Sequence, residues 1–447
     1  MKNDIIDELT KARKEKGLSQ GELAQLTGIK RENISRIESG KQNVSIETVE
    51  KIASALDKEV NLNLTEEKED EYLLKLYDED LMSFRLYKEK LGELKADILW
   101  IDEERKEVFP LDLKVSGEGI VKWLQRRIIP KNRYYIEEIL NSLGLDSKDT
   151  RGIIDVCKGL SLNDSYWVVR KGFKGKFRNY NLYENNFNKV LALIAYTGIY
   201  SDARGFTTSP ELTTGGMLPK AWRFFSKNDI YLYKGGSTIA SNSGREPYME
   251  YYAAQIGKTM GLNIINYDLE KWKGILASKC QLFTDIDTSY YPIGRIVEKG
   301  GLRAVIDYYD GLGKTFHDQI RDMLVFDALI MNEDRHFGNF GLLTDSRSGK
   351  IISPAPVFDN GLSLLCYISK GKYSLDYMKE YSMKRVSAYG LPFTEIVSEV
   401  IENRQRKQLR KVLNFHFERH ERYNLPEEFL QNLETILHER AKQLLEL

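Results

Sequence analysis

Residues 331–340, "MNEDRHFGNF", set two acids, a base, a histidine and two asparagines close together, and a further acid stands downstream at Asp359 in "PVFDNG". Phosphoryl transfer asks for such parts. A carboxylate orients the attacking hydroxyl, an amide and a second carboxylate hold Mg²⁺, and a lysine neutralises phosphate oxygens. Asp334 is the candidate for the substrate hydroxyl, and Asn339 and Asp359 are candidates for chelating Mg²⁺ through oxygen. His336 reads as a residue that orders the loop by hydrogen bonding rather than a base, and Arg335 as a partner for a loop acid or a phosphate.

Upstream segments supply the remaining roles in a workable order. "TSPELTTGGMLPKAWRF" (208–224) carries Gly215 and Gly216, whose backbone N–H groups can approach phosphates closely because neither residue has a Cβ. "DIYLYKGGS" puts Lys234 at the end of an expected strand, and "PYMEYYAAQIGKTMGL" opens a helix at Glu250. Taken singly, a Gly-Gly pair is usually a turn and a strand-end lysine is usually solvated. Their value lies in the combination.

The spacing Asp334 to Asn339 is the D-x-x-x-x-N of protein-kinase catalytic loops, with Asp359 where a metal-binding aspartate would stand, although Asn360 follows it and the histidine comes after the aspartate. "NEDRHFGNF" with "PVFDNGLSL" resembles HipA-like serine/threonine kinases, and more distantly the phosphatidylinositol-kinase loop. "RRIIPKNRYYIEEILNSLGL" (126–145) is similar to the longer bacterial HipA-like proteins, so the resemblance covers nearly the whole chain from about residue 80. It implies ATP and Mg²⁺ as cofactors, Lys234 as the phosphate-contacting lysine and Glu250 as its acid partner, with Glu246 as rival. "ASKCQLFTD" (277–285) matches the hinge whose backbone would meet the adenine, with Gln281 and Phe283 as its hydrogen-bonding residues. The resemblance also implies autophosphorylation of a hydroxyl residue in the glycine loop, here Thr213 or Thr214. A phosphate there adds about two negative charges where ATP phosphates must bind, so the modification is expected to inactivate.

Apolar residues recur at helical spacing through residues 1–64. Ser19 with Glu22 is a capping-box start, and Gly28 follows as a stop. "LSQGELAQLTGIKRENISRIESGKQNVSIETVEKIASAL" resembles the helix-turn-helix of Cro/repressor-type (XRE) regulators. One helix (20–26) braces and the next (31–39) presents Arg31, Glu32, Ser35 and Arg36 to a major groove. Gln20, Lys41 and Asn43 are expected at phosphates, fixing position without reading sequence. With acids and bases balanced here, DNA affinity is expected to depend on a homodimer spanning two half-sites.

The acidic stretch 65–75 reads as a linker or solvated helix, 76–280 as a mixed α/β lobe, and 281–447 as a mainly helical lobe with the catalytic loop and metal motif. The fold class is therefore α+β: an all-α helix-turn-helix domain, then a bilobal protein-kinase-like fold. "VLALIAYTGIY" (190–200) is expected to be a buried helix, and no apolar run approaches the roughly 18 residues a bilayer span needs. Two basic clusters, Arg126, Arg127, Lys131, Arg133 and Arg404, Arg406, Lys407, Arg410, Lys411, read as solvated faces.

Of 447 residues, 42% are apolar and 30% charged, which fits a globular protein. Lys and Arg number 66, as do Asp and Glu, so any nucleic-acid binding must come from a local surface. Cys157, Cys280 and Cys366 are too far apart for a zinc knuckle or disulfide framework. The charged N-terminus lacks a signal peptide's apolar core, and the cytoplasm is the expected location. The reading that emerges is an ATP- and Mg²⁺-dependent protein serine/threonine kinase fused to its own operator-binding, autoregulatory domain. Family analogy points to a translation-related target such as an aminoacyl-tRNA synthetase. The alternatives are a transcriptional regulator that uses ATP as a signal, and a small-molecule or lipid kinase.

Overall fold

A computed structural model of the chain describes residues 2–39, 44–60, 70–89, 92–203, 209–238 and 244–447. It divides into two compact units, Met1–Lys68 and Glu69–Leu447.

The first unit has four helices: α1 (Lys2–Glu15), α2 (Gln20–Thr27), α3 (Arg31–Glu38) and α4 (Ile46–Ala55). Ser19 and Glu22 cap α2 reciprocally. Glu22 N donates to Ser19 Oγ at 3.2 Å, and Ser19 N donates to Glu22 Oε2 at 2.7 Å. Gly28, at φ +64°, closes the helix in the left-handed conformation that costs glycine little. Leu23, Ile34, Ile37, Ile52 and Leu56 meet in one small core. A pair that the sequence reading did not anticipate staples this core. Arg13 donates to both carboxylate oxygens of Glu38, at 2.6 and 2.9 Å, and to the Leu18 carbonyl at 2.6 Å.

The second unit opens with antiparallel strands β1 (Asp70–Leu76), β2 (Glu79–Lys88) and β3 (Leu94–Ile101), joined later by β4 (Tyr166–Arg170) in the order β3-β2-β1-β4. The expected linker thus ends early. Residues 65–69 lie outside the described residues, whereas 70–75 belong to β1. Tyr72, Leu74 and Leu76 alternate into the core, and the acidic run before them hides that alternation in the sequence. Helices α5 (Gly117–Gln125), α6 (Ile136–Asn141), α7 (Thr150–Cys157) and α8 (Lys189–Thr197) pack Trp123, Leu140, Ile154 and Ile194 with Phe84 and Leu86. The apolar run at 190–200 is this buried α8, ended by Gly198, with Ile199 and Tyr200 exposed beyond it.

A second antiparallel sheet, β5 (Lys220–Ser226), β6 (Asp229–Gly235), β7 (Tyr267–Trp272) and β8 (Ile275–Gln281), runs in the order β5-β6-β8-β7. The long helix α9 (Glu246–Met260) packs on β7 and β8. After β8 the chain is mainly helical. Its strands β9 (Thr288–Pro292), β10 (Gly341–Asp345) and β11 (Ile351–Pro354) form a small sheet. The helices are α10 (Ile293–Ile296), α11 (Gly301–Gly311), α12 (Lys314–Ile330), α13 (Leu375–Met383), α14 (Phe393–Val400), α15 (Asn403–Val412) and α16 (Glu427–Glu446).

Helix α12 is the axis of this half, burying Ile320, Met323, Val325, Phe326, Leu329 and Ile330 against α14 and α16. Each such side chain contributes about 1.5–3 kcal/mol of burial. It ends at Met331 in a left-handed conformation (φ +55°), which releases the chain into the 331–340 loop. Among the described residues no helix is long and apolar enough to cross a membrane.

The first basic cluster needs correction, while the second is a largely exposed face. Arg127 and Arg133 are buried and paired to Asp164 and Glu211, so the first cluster is not a solvated face. In the second, Lys407, Arg410 and Lys411 are exposed, while Arg404 clamps the buried Asp322 of α12. Buried acids far away in sequence recruited these arginines.

Candidate active site

Lys234, next to last in β6, projects between the second sheet and the segment after β11. Its Nζ donates to Glu250 Oε1 at 3.0 Å and also to the carboxylate of Asp359. Glu250, one turn into α9, is 1% exposed, and its other oxygen accepts from Asn360 N at 2.8 Å. One ammonium therefore joins a strand, a helix and the loop of Asp359. Burial alone would lower the lysine's pKa, but the two carboxylates more than offset it and hold Lys234 above its ordinary value. Burial and the nearby Asp359 charge push Glu250 upward. Two carboxylates share one ammonium here, which leaves a residual negative charge.

Glu246, the rival partner, is occupied elsewhere. Its carboxylate accepts from Ser237 N at 3.2 Å, Gly244 N at 3.0 Å and the Tyr367 hydroxyl at 3.1 Å. Next to it Arg245 donates to the carbonyls of Cys366 and Ile368, at 3.2 and 2.6 Å.

The loop after α12 is held by Arg335, which is 1% exposed. Its guanidinium takes Asp327 of α12 bidentately (2.9 and 3.0 Å), and it donates to the carbonyls of Asn339 and Phe358 and to Asn360 Oδ1 at 2.5 Å. The expected partner of Arg335, a loop acid or a phosphate, is instead a helix acid, because Asp327 is buried within reach and must be compensated. The 334–339 and 358–360 segments are thereby fastened to each other.

Within that frame Asn339 Nδ2 donates to the Asp334 carbonyl at 3.0 Å, which commits its amide nitrogen to the loop. Asp334 N is held by Asn332 Oδ1 at 3.1 Å. Burial, then the charge on Asp359, raise the Asp334 carboxyl above its usual range. Asp359 sits at φ +57°, an unusual conformation for a residue with a side chain and one found at functional sites. Its N–H donates to the Tyr267 hydroxyl at 3.1 Å. His336 is exposed, and its Nδ1 accepts from Gly338 N at 3.0 Å, so in the neutral ring the proton sits on Nε2.

Among the described residues no group of three or more His, Cys, Asp or Glu side chains could hold a metal alone. The Asp359 carboxylate and Asn339 Oδ1 offer two hard oxygens. That sparse set fits Mg²⁺, which keeps several ligands from water and phosphate.

The glycine turn lies over β5. Thr213 Oγ1 and Thr214 Oγ1 donate to the Pro210 carbonyl, at 3.3 and 2.6 Å, and the Trp222 indole donates to Thr214 at 3.1 Å. Gly216 takes φ +81°, and Gly215 has open space where a Cβ would be.

The two hinge residues come out differently. Directly opposed residues of an antiparallel pair share a face. Lys234 opposes Ser278 and Leu232 opposes Cys280, whereas Gln281 opposes Tyr231. The Gln281 side chain therefore leaves the other face of the sheet, where Nε2 donates to the Asn228 carbonyl at 2.9 Å, and it is not a side-chain contact of this site. Phe283 packs its ring on Phe358 and Tyr290, with centroids 5.3 and 5.4 Å away, just before Asp359. Cys280 and Tyr267, not singled out from the sequence, belong to the Lys234 face. The Cys280 thiol is pushed up to about 12, by burial first and then by Glu250.

In the first unit α3 exposes Arg31, Glu32, Ser35 and Arg36 and buries Ile34 and Ile37. Gln20 does not stand free for a phosphate, because its Nε2 donates to Glu38 Oε2 at 2.8 Å. Lys41 and Asn43 lie outside the described residues.

Residues 9–62 match the helix-turn-helix family model. The first unit is a helix-turn-helix domain. No curated protein matches the chain by sequence. Among solved structures, the chain is similar to the proinflammatory kinase CtkA of Helicobacter pylori, with 21% identity and a TM-score of 0.39 over 53% of this chain and 92% of that one. It is also similar to a chain from the HipA, HipB and operator DNA complex of the Shewanella oneidensis MR-1 toxin–antitoxin system. There the identity is 14% and the TM-score 0.47, over 83% of this chain and 97% of that one.

Proposed function

We propose that the second unit is an ATP- and Mg²⁺-dependent protein serine/threonine kinase of the HipA type, joined to a helix-turn-helix domain that binds its own operator. The observation that carries this reading is the meeting of Glu250 and Asp359 on the Lys234 ammonium, together with a loop in which Asn339 is held by the Asp334 carbonyl. Asp334, with its carboxyl raised, is suited to orient and accept the proton of a substrate hydroxyl. Lys234 neutralises phosphate oxygens once a nucleotide draws it from Asp359. His336, whose Nδ1 accepts from Gly338 N, orders the loop and does not serve as base. Mg²⁺, held by Asn339 and Asp359, would offset the charge of the transferring phosphoryl group.

Autophosphorylation at Thr213 or Thr214 would switch the site off by placing phosphate charge at the glycine turn. Binding to DNA would run through Arg31, Glu32, Ser35 and Arg36 and involve a homodimer on two half-sites. The protein substrate is expected to be translation-related.

The test is transfer of γ-labelled phosphate from ATP by the wild-type chain and by Asp334→Asn, offered cell-lysate proteins and, separately, a lipid extract. Labelled serine or threonine with wild type alone supports the proposal. Label in lipid only, or equal label with both chains, refutes it.

A further inference from the structure

The segment leading into β7 runs parallel to the segment that carries Asp359. Val357 N donates to the Asn263 carbonyl at 2.8 Å, and Ile265 N donates to the Val357 carbonyl at 2.9 Å, around a parallel bridge between Ile264 and Val357. In a regular parallel ladder the next rung would run from Asp359 N to the Ile265 carbonyl. Asp359 instead turns left-handed at φ +57°, and its N–H goes to the Tyr267 hydroxyl at 3.1 Å. A side-chain oxygen replaces a main-chain one at the point where the chain leaves extended geometry.

The replacement suits its surroundings. Tyr267 opposes Cys280, and Cys280 opposes Leu232, so the phenol leaves the sheet on the face of Lys234. Burial first, and then the Glu250 carboxylate, push the phenol pKa upward. The hydroxyl therefore stays neutral and accepts the N–H without adding charge where Glu250 and Asp359 already share one ammonium. A left-handed residue with a side chain persists only where its neighbours hold it. Here Tyr267 takes Asp359 N, Glu250 Oε2 takes Asn360 N at 2.8 Å, and Arg335 takes the Phe358 carbonyl. With the backbone pinned on both sides, the motion left to Asp359 is rotation of its own side chain.

We propose that Tyr267 is a positioning residue for Asp359. Its hydroxyl fixes the left-handed turn, so that the carboxylate passes from Lys234 to a divalent cation by side-chain rotation alone. Tyr267 acts through the Asp359 N–H and not by touching nucleotide or cation. The inference rests on the reading of Asp359 as a cation ligand at a nucleotide site.

Calorimetric titration of the full chain with β,γ-imido ATP, once in excess Mg²⁺ and once in EDTA, tests it. Tyr267→Phe keeps the ring and removes only the hydroxyl. Its affinity in EDTA should match wild type, while the affinity gained from Mg²⁺ falls roughly three- to tenfold, because fewer chains keep the competent turn. An equal gain from Mg²⁺ in both chains, or an equal loss in both media, overturns the inference and leaves the nucleotide site in place. A wild-type chain that binds the analogue in neither medium, or gains nothing from Mg²⁺, overturns the reading of Asp359 beneath it. Hydrogen exchange resolved to single amides keeps the test open should the variant not fold. In wild type the Asp359 amide should be protected, and exchange there as fast as in an open loop refutes the proposal.

Discussion

Replacing Arg335 with methionine tests the joint on which the 331–340 loop hangs. The arginine makes five hydrogen bonds, two to Asp327 and one each to Asn339 O, Phe358 O and Asn360 Oδ1. Methionine fills comparable apolar space but donates nothing. Stranding one member of a buried ion pair costs about 3–5 kcal/mol, and each orphaned oxygen adds about 1 kcal/mol. Against that, Asp327 keeps the Asn332 amide at 3.0 Å, and burial already pushes its carboxyl upward, so it recovers part of the loss by taking a proton. The expected net loss is about 4 kcal/mol. All five tryptophans (Trp100, Trp123, Trp167, Trp222 and Trp272) belong to the second unit, so urea denaturation followed by tryptophan fluorescence reads that unit alone. In the variant, the folded-state pKa of Asp327 stands above its unfolded value. The penalty is then complete above the folded pKa and shrinks as pH falls through it, making the loss smaller at about pH 5 than at about pH 8. Adding Asp327→Leu should restore roughly half of the lost stability. A single-variant loss below about 1 kcal/mol, the range of ordinary surface changes, refutes the reasoning.

Asp334→Asn should abolish phosphate transfer yet keep stability within about 0.5 kcal/mol of wild type or slightly raise it, because it relieves repulsion with Asp359. The same denaturation assay and a labelling assay check both halves. Lys220, lowered from 10.5 to about 7, binds its proton more weakly when folded, so the unfolded chain holds the extra proton between those values and stability rises with pH across that window. The slope contributed is at most about 1.4 kcal/mol per pH unit, and Lys220→Met should remove it in urea titrations at about pH 7.5 and 9.5. Glu38→Ala strands Arg13 in the helix-turn-helix domain and should cost about 3 kcal/mol, read as faster amide hydrogen exchange over 5–39 and lost DNA binding.

What could be read from the sequence was whatever chemistry travels in short contiguous words. Asp334, Asn339 and Asp359 announce themselves by spacing, and Ser19, Glu22 and Gly28 mark a helix start and stop by local rules alone. Lys234 and Glu250 were legible once a strand end and a helix start were recognised near them. Pairing over long separations was not. Arg133 meets Glu211 78 positions away, and nothing local distinguishes it from a solvated arginine. Side-chain direction at Gln281 was not legible either, because strand parity decides which face a side chain leaves and a shift of one residue exchanges the two faces. Cys280 and Lys220 gain their places from the same register, which only pairing with β6 reveals.

The start of α9 is tied down by the side chains of Arg245 and Glu246. Glu246 takes the N–H groups of Ser237 and Gly244 and the hydroxyl of Tyr367, and Arg245 takes the carbonyls of Cys366 and Ile368. A helix rooted this firmly cannot pivot outward by itself to carry Glu250 away from Lys234. A compound designed to part Glu250 from Lys234 by shifting α9 would have to break these contacts as well.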